Sequence, residues 1–331
     1  MSRPRILTGD TPTGRLHIGH WVGSLENRVR LQDDYDCHFL IANVHALTTR
    51  ADKVDEVRRD SLDIVRDWLA CGLDPERSTF VLQSEIPAIA ELTFLLAMLL
   101  PANRVMRNPT LKAELQTKGL GDHYSFGFPM YTVGQCADIL AFRAELVPVG
   151  EDQEAHLEMC REVAHRFDQM YGPIFPIPQA MIGRVGRLPG TDGVHKMSKS
   201  LDNAIFLSDS TDTIRKKMAR LHTGRQATTD PGDPNNALFQ YARTFMTDRA
   251  HVDELADRYA RGDNIGDAAI KAEVATAIDE LVAPMRERRA AYDGPRGDGM
   301  IVELLRAHAV RANAVANDTM VQVKDAMKLA L

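Results

Sequence analysis

Apolar residues along the first half of the chain follow two alternating patterns. Short apolar runs with the length and β-branched content of buried strands lie at Arg5–Thr8, Cys37–Val44, Ser78–Leu82 and Leu146–Val149. Between these runs, apolar residues recur at helical spacing over 19–31, 54–69, 88–100 and 151–170. Strands and helices in alternation predict an α/β fold, a doubly wound parallel sheet with helices on both faces.

The second part of the chain has a different pattern. After Ser208 the strand-like runs end, and helical spacing covers 209–221, 235–246, 252–261 and 265–289. Glycine, proline and aspartate separate these segments, and a glycine-rich stretch at 294–299 precedes a last predicted helix over 300–331. The pattern predicts a second, smaller, all-helical domain, with the boundary at Leu207.

Composition narrows the class of protein without identifying it. The 331 residues carry a net charge of −6 and are 44% hydrophobic, as in ordinary globular proteins. The sequence shows neither an apolar run long enough to cross a membrane nor the apolar core of a signal peptide. The four cysteines are far apart, which favours neither a zinc site nor a disulfide framework. We therefore expect a cytoplasmic protein whose side chains bind no metal directly.

The stretch Gly9–Gly23, GDTPTGRLHIGHWVG, lies where the first predicted strand gives way to a helix. Backbone N–H groups at a helix start attract anions, and a glycine lets a ligand approach the backbone closely. His17 and His20 bracket Gly19 and can donate hydrogen bonds to phosphate oxygens. The stretch predicts a nucleoside triphosphate site, with polar surface histidines as the alternative. Its spacing matches neither the dinucleotide-binding G-x-G-x-x-G motif nor a P-loop.

A second motif, KMSKS at Lys196–Ser200, follows a Gly-Thr-Asp-Gly turn. Lys196 and Lys199 lie three residues apart on a loop rich in glycine and serine. Two ammonium groups on such a loop can close over a triphosphate and neutralise the charge of a departing pyrophosphate. A solvated loop without a ligand is the alternative.

Together, the HIGH residues His17–His20 and the KMSKS loop make the chain resemble the class I aminoacyl-tRNA synthetases. Three further segments are similar to those of bacterial tryptophanyl-tRNA synthetases: Leu31–Thr48, Ala137–Phe142 and Pro148–Phe167. The resemblance covers most of the chain and is weakest over 101–125 and in the helical domain. Three alternatives stay open: a tyrosyl-tRNA synthetase, a relative without catalysis that has a regulatory or partner-binding role, and a nucleotidyltransferase of another pathway.

The resemblance implies both a domain organisation and a reaction. A Rossmann-like catalytic domain spans 1–207, with an insertion at about 101–126 and the KMSKS loop at 196–200. A helical domain over 208–293 binds the tRNA anticodon, and a C-terminal helix over 294–331 packs back on the catalytic domain. The enzyme uses ATP with Mg²⁺ to form tryptophanyl-adenylate and pyrophosphate, transfers tryptophan to tRNA(Trp), and acts as a homodimer.

The resemblance also assigns site residues. The catalytic residues are His17, His20, Lys196 and Lys199. The ATP site contains these four and Thr11, Thr13, Gly19, Lys112, Gly150, Asp152, Met197 and Ser198. Tryptophan is bound by Leu7, His45, Gln135, Asp138, Ile139, Val147, Val149 and Gln153. In this assignment Asp138 accepts the indole N–H, which can only donate, and Gln153 holds the amino group of the substrate.

Three residues depart from the family pattern. Leu7 stands where the bacterial enzymes usually have an aromatic residue, Gln135 where they have methionine, and Asn43 where they often have aspartate. Leu7 and Gln135 make the slot roomier and more polar, so we hypothesise that it prefers tryptophan but tolerates a ring substituent. Gln135 and Asp138 are also similar to the Gln-x-x-Asp pair of tyrosyl enzymes, which keeps tyrosine open as a substrate.

One segment of this acidic chain is locally basic. Ile214–Arg225 contains Arg215, Lys216, Lys217, Arg220 and Arg225. Such a patch predicts contacts with tRNA phosphates, and the alternative is a solvated helix face.

Overall fold

The computed structural model describes residues 3–150, 154–182, 188–198 and 201–330. Five parallel strands form one sheet in the order β3-β2-β1-β4-β5. The strands are β1 (Arg5–Asp10), β2 (Asp36–Ile41), β3 (Ser78–Leu82), β4 (Leu146–Val149) and β5 (Gln179–Ile182). The strand order reverses between β1 and β4, and in open α/β sheets ligands bind beyond the carboxyl ends of the strands at such a point.

Helices connect the strands, and further helices follow β5. The stretch after β1 comprises α1 (Ile18–His20), a π-helical turn (Trp21–Leu25) and α2 (Glu26–Leu31). Between β2 and β4 lie α3 (Asn43–Arg50), α4 (Val54–Cys71), a 3₁₀ turn (Gln83–Glu85), α5 (Pro87–Ala97), α6 (Ala102–Met106), α7 (Pro109–Thr117) and α8 (Gly127–Ala141). The remaining helices are α9 (Glu154–Tyr171), α10 (Thr211–Ala219), α11 (Ala237–Phe245), α12 (Arg249–Arg261), α13 (Asp267–Ala290) and α14 (Gly294–Ala326).

The predicted fold class is confirmed, and two of the predicted strands, Ser78–Leu82 and Leu146–Val149, have the predicted bounds. The predicted strand over Cys37–Val44 is wrong at its end, because β2 stops at Ile41 and α3 begins at Asn43. The side chain of Gln83 accepts the N–H groups of the first turn of α3, a distant contact that the local pattern cannot show.

The start of the last helix at 300, which the hydrophobic pattern predicts, is also wrong, whereas the start at 294 that the resemblance implies agrees with the structure. Helix α14 begins at Gly294 and not at 300, so the glycine-rich stretch is its first turn. Pro295 stands at the start of this helix, where its missing N–H costs nothing. Gly297 faces the backbone of Tyr292 so closely that a side chain would collide with it. The hydrophobic pattern missed β5, α6, α7 and α8 altogether.

The two faces of the sheet pack against different sets of helices, although α14 contacts both. Side chains alternate along a strand, and the face with Leu7 and Val147 joins one apolar cluster with helices α5, α8, α9 and α14. The opposite face carries Phe39 and Phe80, whose rings lie 6.1 and 5.3 Å from the ring of Trp68 in α4. Burial of each phenylalanine contributes about 1.5–3 kcal/mol to stability.

By their contacts the residues form two compact units. The first comprises residues 1–14, 24–183 and 292–331, and the second comprises 15–23 and 184–291. The second unit thus begins earlier in the chain than the predicted helical domain, and it includes the HIGH residues. Across the described ranges, every helix is too short or too polar to span a membrane.

Candidate active site

In the second unit, the HIGH segment is paired with the chain that leaves the KMSKS loop. Ile18 donates its N–H to the carbonyl of Ile205 at 2.9 Å, and Leu207 donates to the carbonyl of Leu16 at 3.0 Å. His17 therefore lies opposite Phe206 in an antiparallel bridge. The two motifs, far apart in the sequence, are thus fixed beside each other.

The two histidines of the HIGH segment contact each other. Their ring centroids are 3.8 Å apart, and the backbone N–H of His17 donates to Nδ1 of His20 at 3.1 Å. Because Nδ1 of His20 accepts, the proton of the neutral His20 ring lies on Nε2. His17 is 7% exposed. An imidazole N–H held in this way is a suitable donor to a phosphate oxygen.

Gly19 occupies a confined position between the two motifs. A Cβ atom there would lie 2.9 Å from Nδ1 of His17 and 3.4 Å from the sulfur of Met197. A larger residue would therefore displace the His17 ring or the KMSKS loop. This packing is a structural reason for a glycine at position 19, in addition to the predicted close approach of a ligand to the backbone.

Asn203 fixes the base of the KMSKS loop. Its side chain accepts the N–H of Ser198 at 2.7 Å and donates to the carbonyl of Lys196 at 3.2 Å and to Asp192 at 3.0 Å. Burial raises the pKa of Asp192, but hydrogen bonds from Val194, Asn203 and His195 outweigh it and lower this pKa to about 2. Asp192 is thus an anion that orders the loop, while the Lys196 side chain is exposed.

Sequence reasoning missed both Asp192 and Asn203. The signal was available, because aspartate, asparagine and glycine on both sides of KMSKS are turn-forming residues whose side chains bond to the local backbone.

In the first unit, the turn after β1 is held by two arginines, Arg28, which is buried, and Arg50, which is half-buried. Arg28 is 2% exposed and donates to Asp10 at 2.7 and 3.1 Å, and Trp68 donates to the same carboxylate at 2.9 Å. Arg50 donates to the carbonyl of Pro12 at 2.6 Å. These contacts fix the backbone of the turn that carries the two predicted ATP residues Thr11 and Thr13, which are both exposed.

The predicted tryptophan residues of the first unit come from β1, β4, α3 and α8. Ile6 pairs with Leu146 in the sheet, so Leu7 and Val147 project from the same face. Leu7, Ile139 and Val147 are each 3% exposed and belong to the apolar cluster on that face, and Val149 packs against it. Helix α8 packs on β1. Apolar side chains therefore gather where the resemblance places the indole ring.

Asp138 is the buried polar group of this region, at 3% exposure. Its Oδ1 accepts a hydrogen bond from the amide nitrogen of Gln83 at 2.8 Å, and its Oδ2 lies 3.6 Å from Nδ1 of His45. Burial raises the pKa of Asp138 to about 7, although the hydrogen bond from Gln83 opposes this shift. Burial lowers the pKa of His45 to about 4, so this imidazole is neutral at pH 7.

Three further residues that sequence reasoning missed surround this polar group. Gln83 is 3% exposed and bonds to Asp138 and His45. A Cβ atom at Gly134 would lie 2.5 Å from Nε2 of His45, so the glycine makes room for that ring. The ring centroid of Tyr131 is 6.1 Å from that of His45. No local pattern marks these residues, because their roles come from tertiary contacts.

The other predicted residues have less defined surroundings. Lys112 is exposed on α7, and Glu114 of the same helix bonds to Tyr131. Gln135 is half-buried on α8, and Gly150 follows β4 directly. Asp152, Gln153 and Lys199 lie outside the described residues.

The helical part of the second unit divides the predicted basic patch. Lys217 bonds to Asp209 at 2.7 Å, and Arg225 is 3% exposed and pairs with Asp267 at 2.6 Å. These two cations form ion pairs within the protein, which the sequence did not indicate, so they differ from the exposed cations of the predicted patch. The side chains of Arg215, Lys216 and Arg220 are exposed. A cleft of about 720 Å³ between α10 and α13 is lined by the cations Arg215 and Lys271, by the carboxylate of Asp267, and by polar residues and alanines that include Thr223, Gln226 and Ala275.

Comparison with known proteins identifies the class. The family model described as tRNA synthetases class I (W and Y) matches residues 1–283. The chain belongs to this family of aminoacyl-tRNA synthetases, which confirms the resemblance drawn from the HIGH and KMSKS motifs.

Several similar proteins within this class are tryptophan enzymes. The tryptophan–tRNA ligase of Treponema pallidum is 42% identical over 330 residues, covering 98% of this chain and 97% of that protein. The ligase of Chlamydia caviae is 42% identical over 340 residues, covering 99% and 96%. A crystal structure of tryptophanyl-tRNA synthetase from Campylobacter jejuni, complexed with ADP and tryptophan, matches with a TM-score of 0.83 and 32% identity over 98% of this chain and 99% of that one.

Proposed function

We infer that this protein is a tryptophan–tRNA ligase that uses ATP. It activates L-tryptophan to tryptophanyl-adenylate with release of pyrophosphate, and it then transfers the amino acid to tRNA(Trp). The observation that carries this inference is the 42% identity to a tryptophan–tRNA ligase over nearly the full length of both chains. The likeness to tyrosyl-tRNA synthetase structures, such as that from Aeropyrum pernix at 24% identity, concerns the fold alone.

For the first step we propose that positioning and charge stabilisation supply most of the catalysis. The substrate carboxylate attacks the α-phosphorus of ATP, and pyrophosphate leaves. His17 and His20 donate to phosphate oxygens, while Lys196 and Lys199 neutralise the leaving group. The contact of Gly19 with His17 and Met197 supports this assignment, because it brings both motifs to one place. Mg²⁺ would accompany ATP through the phosphates and stabilise their charge.

For the amino acid we propose a slot whose apolar walls include Leu7, Ile139, Val147 and Val149. Asp138 accepts the indole N–H within it, and Gln153 holds the amino group. The burial of Asp138 among apolar residues supports this role, since a carboxylate in such a place needs a donor. Because His45 is neutral and bonded to Gln83, we assign it to the support of Asp138 rather than to the substrate.

We further propose that the slot accepts a ring-substituted tryptophan. Leu7 occupies less volume than the aromatic residue usual in the family, and Gln135 is a polar residue on the helix that carries Asp138. Tyrosine is the competing substrate on this point.

For the tRNA we propose that the exposed cations Arg215, Lys216 and Arg220, with the cleft between α10 and α13, contact the RNA.

We also propose that the enzyme is a cytoplasmic homodimer. Phe94 in α5 and Met98 just after it are 63% and 62% exposed, and a second copy would cover this apolar surface. Sedimentation of the wild-type protein and of Phe94→Glu checks the assembly, which the charged variant should weaken.

ATP–pyrophosphate exchange with tryptophan and with tyrosine tests the proposed function, followed by charging of tRNA(Trp). Exchange with tryptophan and charging of its tRNA are expected. Faster exchange with tyrosine would replace the proposal by the tyrosyl enzyme, and exchange with neither would favour a non-catalytic relative.

A further inference from the structure

Gln83 lies directly after β3, at the start of a 3₁₀ turn, and is almost fully buried. Its amide oxygen accepts the N–H groups of Val44 at 3.1 Å and His45 at 3.2 Å, in the first turn of α3. Only the oxygen of the amide can accept, so these two donors fix the orientation of the side chain. The amide nitrogen must then face Asp138 and His45.

The amide nitrogen donates to Oδ1 of Asp138 at 2.8 Å and lies 3.0 Å from Nε2 of His45. Because an amide nitrogen can only donate, Nε2 of His45 accepts and the ring proton lies on Nδ1. That nitrogen is 3.6 Å from Oδ2 of Asp138. The carboxylate therefore has an oriented amide at one oxygen and a neutral imidazole near the other.

We propose that Gln83 is a positioning residue for substrate selection, which holds the Asp138 carboxylate as an acceptor aimed at the ring N–H of the substrate. The inference rests on the proposed function and deepens it, because it names the residue through which Asp138 distinguishes rings with an N–H from rings without one. Among the described residues, Gln83 is the one side chain that donates a hydrogen bond to the buried carboxylate of Asp138. Without it, burial would favour the protonated acid, a weaker acceptor.

The two ends of the amide have separable roles, which makes the proposal testable. Gln83→Glu keeps an oxygen that can accept the N–H groups of α3 but replaces the amide donor by a second carboxyl group, so that two acids compete for one proton at Asp138. Gln83→Met removes both the acceptor and the donor. Gln32 offers a matched control, since it is 1% exposed and its amide oxygen also accepts two donors, the N–H of Asp74 and the hydroxyl of Ser78.

The experiment compares pyrophosphate exchange with tryptophan and with benzothienylalanine, in which sulfur replaces the ring N–H. In Gln83→Glu and Gln83→Met, the preference for tryptophan in kcat/KM should fall about tenfold or more. Gln32→Glu should leave the preference unchanged.

The outcomes separate this inference from the function on which it rests. An unchanged preference in Gln83→Glu, or an equal loss with both substrates, would overturn the role in selection while the ligase activity stands. A wild-type protein that exchanges with neither substrate would overturn the proposed function, and the selection role with it.

Discussion

The predicted tryptophan slot and the paired HIGH and KMSKS motifs are built in different ways. The slot lies in the core of the first unit, where Leu7, Ile139 and Val147 are each 3% exposed. The motifs of the second unit lie on a short helix and a loop, and Lys196 is exposed. Selection of an apolar ring needs a rigid, dry surface, whereas charge stabilisation during phosphate release needs cations that can follow the leaving group.

The polar groups of the two regions differ in the same way. Asp138 has its pKa raised to about 7 because burial disfavours its charge. Asp192 has its pKa lowered to about 2 because hydrogen bonds outweigh burial. The first carboxylate is held at an energetic cost, which is typical of a residue kept for binding. The second is stabilised by its donors and orders a loop.

The largest effect is expected from Lys196→Ala. Loss of one of the two cations that we propose act on the leaving pyrophosphate should lower kcat about 10²–10³-fold. The KM for tryptophan should stay unchanged, because the slot has its own residues in the other unit. Exchange kinetics measure both, with Lys216→Ala as a control for the loss of an exposed positive charge. A rise in the KM for tryptophan with kcat preserved would show that the two regions are not functionally separate.

A smaller loss is expected from Asp138→Asn. One hydrogen bond between a charged group and the substrate is lost, so kcat/KM for tryptophan should fall about 100-fold. The stability of Asp138→Asn should rise, although its activity falls. The folded pKa of about 7 lies above the ordinary aspartate pKa of 3.8, so the wild-type protein loses stability as pH rises through this window. The gain in melting temperature of Asp138→Asn should therefore be larger at pH 8 than at pH 4. An equal gain at both values would contradict the raised pKa.

A moderate effect is expected from Gly134→Ala. The new Cβ atom would lie 2.5 Å from Nε2 of His45, so the ring must move and disturb Gln83 and Asp138. Overpacking of this kind costs about 1–3 kcal/mol, and the KM for tryptophan should rise about tenfold. Gly23→Ala is the matched control, since a Cβ atom there meets nothing within 4 Å. Equal effects of the two variants, by melting and by exchange kinetics, would exclude the proposed steric cause.

The same contrast explains how far the sequence could predict the structure. The strands at Ser78–Leu82 and Leu146–Val149 follow from local apolar runs, and the HIGH and KMSKS motifs from short contiguous stretches. Gln83 and Gly134 could not be found, because each acts on a side chain that lies far from it in the chain. The start of α3 was missed for the same reason, since a distant amide caps it.

The smallest effect is expected from Leu7→Phe, which narrows the proposed slot. Leu7 is 3% exposed, so we expect a larger side chain at this position to occupy the part of the proposed slot that a substituent on the indole ring would fill. Activation of tryptophan should change less than about threefold, while activation of 5-methyltryptophan should fall about tenfold, the size of effect that one methyl group has in an apolar pocket. Leu40→Phe is the control. Leu40 lies on the neighbouring strand β2, projects from the same face of the sheet as Leu7, and is equally buried. Its overpacking should lower stability without a change in the ratio of the two substrates. If Leu7→Phe lowered both activities equally, the roomier slot would be wrong, and the departure at Leu7 would reflect core packing alone.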